Sequence, residues 1–196
     1  MTVFLVILIA YLVGSIPFGL LGKFFFKIED PRTFGSKNIG ATNVLRSGNK
    51  KAAAFTLFFD MFKGFIAVFI SSFIDNDLVY LAILSVVFGH IFPIYLLFKG
   101  GKGVATFLGA LVSYSAVVGS LTLLAWITVF YFTRKSSVAG ISAIVLSNLF
   151  LFVFCDNTLV KFSLLLLSIF ILFKHSENIK RLLNKEEFSF QGRDKN

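Results

Sequence analysis

The apolar stretch VATFLGALVSYSAVVGSLTLLAWITVFYF, residues 104–132, decides the fold of this chain. As a single helix it would be about 43 Å long at 1.5 Å per residue, although a bilayer core of about 30 Å needs only about 20 residues. It would also place the basic residues that follow on the outer side, against the positive-inside rule. A break near Gly119 and Ser120 removes both conflicts. We therefore predict two short helices, roughly 104–117 and 120–133.

The composition of the whole chain supports a membrane protein. Of its 196 residues, 57% are hydrophobic and 15% are charged, whereas soluble domains have about a quarter charged residues and disordered chains have low hydrophobicity. Five further apolar runs occur, at 3–22, 52–74, 78–98, 138–155 and 159–173. We therefore predict an all-α polytopic membrane protein with seven transmembrane helices, two of them short, in a single domain over residues 1–196.

The distribution of charge predicts the orientation. The chain has 19 Lys and Arg against 10 Asp and Glu, a net charge of +9. Nearly all the basic residues fall in the segments 23–51, 99–103, 134–135 and 174–196, and Lys161 is the exception. The positive-inside rule then puts the N-terminus outside and the C-terminus in the cytoplasm. Within the first helix, Pro17 is expected to introduce a kink.

The cytoplasmic segment 35–46, GSKNIGATNVLR, combines small polar residues with glycines and ends in arginine. Glycine allows backbone N–H groups to converge on an anion, and Arg46 can bind a phosphate with two hydrogen bonds. A glycine-rich connector whose basic residues follow the positive-inside rule is the alternative interpretation. The candidate site residues are Ser36, Asn38, Gly40, Thr42, Asn43 and Arg46.

The segment 99–106, KGGKGVAT, places lysines and glycines at the expected start of a helix. Unpaired N–H groups and the positive end of the helix dipole favour a phosphate there. The spacing is not that of a Walker A loop, and a tight turn with snorkelling lysines is the alternative. The candidate binding residues are Lys99, Gly100, Gly101, Lys102, Gly103 and Thr106.

The segment 175–181, HSENIKR, places His175 and Asn178 on neighbouring turns of a helix. A histidine and an asparagine in this arrangement can orient and deprotonate a hydroxyl group. The alternative is a basic amphipathic tail that lies on anionic lipid.

Three ionisable residues fall inside apolar runs. Asp60 and Lys63 have the i, i+3 spacing of an internal ion pair, and the alternative for them is a direct role in the site. His90, close to Pro93, is interpreted as a structural histidine. No His, Cys, Asp or Glu pattern indicates a metal site, and no cofactor is expected.

In this order and at these distances, the motifs resemble the bacterial acyl-phosphate-dependent glycerol-3-phosphate acyltransferases, the PlsY family. The similarity extends over nearly the whole chain. One departure is Lys185, where the family has glycine shortly before a glutamate matched by Glu187. The matching motifs are Gly14–Gly19, Gly35–Arg46, Asp60-x-x-Lys63-Gly64, Gly89-His-x-Phe-Pro93, Lys99–Thr106 and His175–Arg181.

The resemblance implies transfer of an acyl group from acyl phosphate to the 1-hydroxyl of sn-glycerol 3-phosphate, which yields lysophosphatidic acid and phosphate, the first acylation of bacterial phospholipid synthesis. It assigns catalytic roles to Ser36, Arg46, His175 and Asn178, and it assigns glycerol-phosphate binding to the loop around Lys102. It further implies the bacterial inner membrane, a cytoplasmic active site and coupling to a soluble enzyme that forms acyl phosphate. The lipid bilayer is an expected partner, and nucleic acid is not.

Two other classes of function share some of these features. A transporter for a phosphorylated metabolite would have a similar basic face, but it commonly shows internal repeats and helices broken at mid-membrane. A non-catalytic scaffold on anionic lipid has no use for the 99–106 loop or for Ser36 and Asn38. Formation of lysophosphatidic acid by the purified protein separates these three alternatives.

Overall fold

The computed structural model describes residues 1–190, and within that range the regular structure is entirely helical. The predicted all-α class is therefore confirmed. Short 3-10 helices at Asn76–Leu78 and Ile94–Leu96 flank the fifth α-helix. The α-helices of the described residues are α1 Thr2–Ser15, α2 Phe18–Phe26, α3 Ala41–Leu45, α4 Lys50–Ile74, α5 Val79–Ile91, α6 Val104–Tyr114, α7 Ala116–Thr133, α8 Ser136–Phe154, α9 Thr158–Phe173 and α10 Ser176–Leu183.

The long apolar run does break, but at Ser115 rather than at Gly119 and Ser120. Ser115 leaves the helical conformation with φ −146° and ψ 108°, and its hydroxyl accepts the N–H of Val118 at 3.4 Å. The predicted position was wrong because Gly119 serves close packing: a Cβ there would collide with the backbone of Val112. Serine starts the next helix by capping its first turn.

The predicted kink at Pro17 is present as a full interruption. Helix α1 ends at Ser15, Ile16 is extended with φ −63° and ψ 118°, and α2 begins at Phe18. Because proline has no N–H and restricts the residue before it, the helix cannot run through this position undisturbed.

Five helical segments of the described chain are long and apolar enough to cross a membrane, and α9 with α10, bent by 54°, would make a sixth. Helix α6 is a shorter apolar helix of 11 residues. Seven crossings, and the orientation of the two termini, stay predictions. The five segments are Thr2–Phe26, Lys50–Ile74, Asn76–Leu96, Ala116–Thr133 and Ser136–Phe154.

The chain divides into two compact units, Met1–Gly119 and the part from Ser120 onward. The single domain over residues 1–196 stays a prediction. In the second unit α8 packs against α9, and both helices carry small or branched side chains that are fully buried. These include Ala139, Ala143, Ile144, Leu164 and Ile171.

In the first unit, glycines bring helix backbones into direct contact. Helix α1 packs on α5 and α4 packs on α6. A Cβ on Gly14 would collide with the Val86 backbone, and one on Gly89 with the Tyr11 carbonyl. Between α4 and α6, Gly64 lies against the carbonyl of Thr106. Small residues are typical of helix contacts in membranes, where close packing replaces the hydrophobic effect.

The α4–α6 contact predicts a specific loss of stability for Gly109→Ala. The added methyl group would meet the Met61 carbonyl, and overpacking of this kind costs roughly 1–3 kcal/mol. We expect the unfolding midpoint in detergent to fall by roughly 2–4 °C for each kcal/mol.

Gly22→Ala is the matched control, because a Cβ there would make ordinary contacts with the Thr56 and Phe55 side chains at 3.4 and 3.6 Å. Alanine also favours the helix over glycine. Equal midpoints for the two variants would show that α4 and α6 do not need glycine at their contact.

Candidate active site

The segment 35–46 folds around the amide of Asn43, which lies in α3 and is buried. Its Nδ2 donates to the carbonyls of Pro31 at 2.6 Å and Phe34 at 3.2 Å. Its Oδ1 accepts the backbone N–H of Ser36 at 2.9 Å and a guanidinium N–H of Arg46 at 3.2 Å. An amide offers two donors and two acceptor positions, so the side chain of Asn43 is fully engaged in holding the segment together.

Gly35 is required by the same arrangement. It has a left-handed φ of +57°, and a Cβ would meet Arg46 Cδ at 3.2 Å as well as the Asn43 amide oxygen. Glycine tolerates both the conformation and the crowding. At the other end of the turn, the Ile39 carbonyl rests on Gly19 of α2, where no Cβ would fit. The segment is therefore seated on α2.

The remaining predicted residues of this segment are half-buried. The Asn38 amide oxygen accepts the N–H of Gly40 at 3.4 Å, and Gly40 is the N-cap of α3. Ser36, Asn38, Thr42 and Arg46 all retain partial exposure. Arg46 also lines an open cleft of about 980 Å³ whose wall includes three lysines, Lys27, Lys50 and Lys51. The wall also includes Glu29, but the cationic side chains outnumber this carboxylate, so the cleft suits anions.

The glycine loop 99–103 is held against the end of α5. The N–H of Gly100 donates to the Ile91 carbonyl and that of Gly101 to the His90 carbonyl, both at 3.1 Å. Those two N–H groups are therefore directed at the protein. The donors suited to an anion lie in the first turn of α6, whose N–H groups have no carbonyl one turn earlier in the helix.

The other predicted residues of the loop differ in exposure. Lys99 is exposed, Lys102 is half-buried, and Gly103 is the N-cap of α6 with a left-handed φ of +90°. Thr106 is completely buried, and its hydroxyl has no hydrogen-bond partner among the described residues. A substrate would reach Thr106 only if the start of α6 opened.

The predicted ion pair between Asp60 and Lys63 is present and buried. Lys63 Nζ lies 2.7 Å from Asp60 Oδ1 and donates to the Ile16 carbonyl at 2.9 Å. His90 Nδ1 lies 3.5 Å from the same Asp60 oxygen, which is a contact rather than a short hydrogen bond. His90 Nε2 faces Gly101, where a Cβ would collide with it.

In the second unit, His175 is buried at the junction of α9 and α10. Its Nδ1 lies 2.8 Å from the Ile171 carbonyl oxygen. A carbonyl oxygen only accepts, so Nδ1 has to carry the proton and Nε2 is the basic nitrogen of the neutral ring. This tautomer suits a general base.

Asn178, also buried, is held by Glu187. Asn178 Nδ2 donates to Glu187 Oε1 and Arg181 Nε donates to Glu187 Oε2, both at 2.8 Å. Burial by itself would raise the pKa of Glu187. Hydrogen bonds, including those from Arg181 and Asn178, lower this pKa by a larger amount, so it lies below the usual value. Glu187 is therefore ionised and fixes the amide of Asn178.

The structure adds residues that the sequence did not assign to the site. Glu187 matched the family glutamate, but its contact with Asn178 could not be seen from spacing. Lys185, where the family has glycine, has a left-handed φ of +62°, the conformation for which glycine is favoured.

Within residues 1–190, no group of three or more His, Cys, Asp or Glu side chains is placed to hold a metal ion.

The role of Asn43 predicts that Asn43→Ala loosens the segment that contains Ser36. Removing the amide takes the donor from the Pro31 carbonyl and the acceptor from the Ser36 N–H, and each unsatisfied buried group costs about 1–3 kcal/mol. Trypsin cleavage after the exposed residues Arg32 and Lys37 should accelerate about tenfold or more. Gel electrophoresis or mass spectrometry would measure this rate.

Asn49→Ala provides the control, because Asn49 also accepts a backbone N–H, that of Ala52 at 3.0 Å, but caps α4 instead of holding the segment. Its loss costs about 1 kcal/mol. The same acceleration in both variants would mean that Asn43 has no special hold on residues 31–40.

Comparisons with known proteins cover nearly the whole chain. The family model described as "Glycerol-3-phosphate acyltransferase" matches residues 4–185. A glycerol-3-phosphate acyltransferase of Bartonella quintana (strain Toulouse) is 42% identical over 197 residues, which cover 97% of this chain and 93% of the relative. One of Nitrosospira multiformis is 45% identical over 196 residues, with coverage of 95% and 96%.

Two solved structures have the same fold. They are crystal structures of PlsY, an integral membrane glycerol 3-phosphate acyltransferase, in a glycerol 3-phosphate form and a lysophosphatidic acid form. The first matches with a TM-score of 0.92 at 37% identity, and the second with 0.90 at 36%; each match covers 97% of this chain and 96% of the other. This chain is thus a multi-pass membrane protein that belongs to the glycerol-3-phosphate acyltransferase family.

Proposed function

We propose that the chain transfers an acyl group from an acyl phosphate to the 1-hydroxyl of glycerol 3-phosphate and releases lysophosphatidic acid and inorganic phosphate. The observation that carries the proposal is the whole-length match to glycerol-3-phosphate acyltransferases, which includes two crystal forms with glycerol 3-phosphate and lysophosphatidic acid. The geometry of the predicted site residues supports it independently.

Acyl phosphate is the donor that the resemblance to the PlsY family implies, and its chemistry suits the charge of the chain. An acyl phosphate is a mixed anhydride and is already activated, so the protein mainly has to hold two anions in reacting geometry. The cationic cleft beside Arg46 and the start of α6 next to Lys102 supply charges and N–H donors suited to phosphates. In this proposal Lys102 and its loop bind glycerol 3-phosphate, while Ser36 and Arg46 complete the polar pocket.

The transfer itself is assigned to His175 and Asn178. Asn178 orients the attacking hydroxyl, and Nε2 of His175 takes the proton as the new ester bond forms. The bond between the acyl carbon and the phosphate oxygen breaks, and phosphate leaves with the electron pair. The Nδ1 contact with the Ile171 carbonyl supports this role, since it keeps Nε2 as the basic nitrogen. The leaving phosphate is the alternative base.

For Ser36 we favour a hydrogen-bonding role over an acyl-enzyme intermediate. A serine nucleophile needs a base within hydrogen-bonding reach. The backbone of Ser36 is held by Asn43, and within the described part of the first unit no histidine or carboxylate contacts its hydroxyl. Direct transfer to the glycerol hydroxyl requires no such base beside Ser36.

The proposed location is the bacterial inner membrane, with the site on the cytoplasmic face, where both phosphate substrates are found. The acyl chain and the product are lipidic, so they enter and leave through the bilayer. Coupling to a soluble enzyme that forms acyl phosphate belongs to the same proposal.

Purified protein in lipid should form lysophosphatidic acid and phosphate in equal amounts when given acyl phosphate and glycerol 3-phosphate. Mass spectrometry of the product, with a phosphate assay, measures both. A rapid quench should show no acyl group on Ser36. Binding of glycerol 3-phosphate without turnover would favour the transporter instead, and equal rates with acyl-CoA would remove the donor assignment.

His175→Ala should lower kcat by about 10²–10⁴-fold, the usual contribution of a general base, while KM for glycerol 3-phosphate changes little. Steady-state kinetics at saturating donor measure both constants. Lys180→Ala, an exposed position on α10, is the control and should keep the full rate. An unchanged kcat in His175→Ala would remove the histidine from the chemistry and leave the leaving phosphate as base.

A further inference from the structure

The buried cluster of Asp60, Lys63 and His90 has no part in the chemistry described above. We propose that these three side chains are positioning residues: together they set the glycine loop 99–103 relative to the segment that contains Ser36 and Arg46. The proposal rests on the proposed function only for its ligand, glycerol 3-phosphate. All the residues involved belong to the first unit.

The cost of burying this cluster calls for an explanation. Asp60 and Lys63 are each 2% exposed and His90 is 5% exposed. Ionisable groups at such sites pay a large desolvation penalty, and apolar residues of similar volume often give equal or greater stability. An ion pair whose only role was packing would therefore be less favourable here than apolar side chains. The groups that the ion pair contacts indicate its role.

On one side the cluster contacts the glycine loop. The His90 carbonyl accepts the Gly101 N–H and the neighbouring Ile91 carbonyl accepts the Gly100 N–H. The His90 ring fills the space that a side chain on Gly101 would occupy, and Pro93 does the same for Gly100. Asp60 lies behind the ring, 3.5 Å from His90 Nδ1. A shift of His90 would therefore move the loop and the start of α6 with it.

On the other side the cluster contacts the interruption between α1 and α2. The ammonium group of Lys63 donates to the Ile16 carbonyl at 2.9 Å and lies 5.7 Å from the centre of the Phe18 ring. The Leu20 N–H, which a continuous helix would direct to Ile16, instead donates to the Pro17 carbonyl at 2.9 Å. The Ile16 carbonyl still accepts the Phe18 N–H at 3.2 Å, and Lys63 supplies a second, shorter hydrogen bond in place of the helical one.

Helix α2 in turn seats the segment with Ser36 and Arg46, because the Ile39 carbonyl rests on Gly19. One ion pair on α4 therefore contacts both supports, the end of α5 under the glycine loop and the start of α2 under the Ser36 segment. Polar contacts have directions and lengths that apolar packing lacks. The polar contacts of the ion pair therefore restrict the position of each support to a smaller range than the surrounding apolar side chains do.

The test compares Lys63→Met, the double variant Asp60→Leu with Lys63→Met, and Val68→Ala. Replacing both charges by apolar groups removes the penalty of an isolated buried charge, so the double variant keeps a folded protein available if the single one fails to fold. Val68 is 1% exposed and also lies in α4. Val68→Ala creates a cavity but leaves the ion pair intact, so it is the control for an effect of lost stability alone.

Three quantities are measured in lipid: the unfolding midpoint, KM and kcat for glycerol 3-phosphate, and hydrogen–deuterium exchange of the peptide containing Gly100 and Gly101. We expect the double variant to unfold near the wild-type midpoint, with KM raised about tenfold, a smaller change in kcat, and faster exchange in the loop. Val68→Ala should lower the midpoint and leave KM and loop exchange as in wild type.

A double variant with wild-type KM and wild-type loop exchange would overturn the proposal, and so would an equal rise of KM in Val68→Ala. Loop exchange needs no turnover, so it tests the network even if the proposed reaction fails. Lack of activity in the wild-type protein would count against the proposed function alone.

Discussion

The first unit depends on backbone contact between helices. Gly14 and Gly89 join α1 to α5, and Gly64 and Gly109 join α4 to α6, with carbonyl groups where side chains would otherwise stand. Lipid offers no hydrophobic gain for bringing two helices together, so stability comes from close packing and from polar groups that find partners. The ion pair on α4 is tolerable because its two charges lie 2.7 Å apart and this frame offers Lys63 the Ile16 carbonyl as an acceptor.

Three of the predicted catalytic side chains are each held by another protein group. Arg46 is held by Asn43, His175 by the Ile171 carbonyl, and Asn178 by Glu187. Such contacts select a rotamer or a tautomer before a substrate arrives, which reduces the entropy lost when the reacting groups are aligned. The positive charge of the chain attracts phosphates. The orientation of Arg46, His175 and Asn178 is set by their neutral and acidic hydrogen-bond partners.

Sequence reasoning succeeded where the signal was local or periodic and failed where it needed a neighbour in space. Apolar length and the positive-inside rule predicted an interruption near Gly119 and Ser120, but neither signal identifies the residue at which the helix ends. In the structure Gly119 packs on Val112, and Ser115 makes the break. The i, i+3 spacing predicted the Asp60–Lys63 pair, but nothing in it indicated that the pair also contacts Ile16 and His90.

The sequence by itself determined the all-α membrane class, a disturbance of the first helix at Pro17 and the family, because hydropathy, proline and collinear motifs are properties of the chain alone. Only the tertiary structure decided that Asn43 directs its whole amide to the protein, that the N–H groups of Gly100 and Gly101 face α5, and that Glu187 holds Asn178. Hydrogen bonds between residues distant in the chain depend on where the backbone places them. Residue type and spacing limit those positions but do not set them.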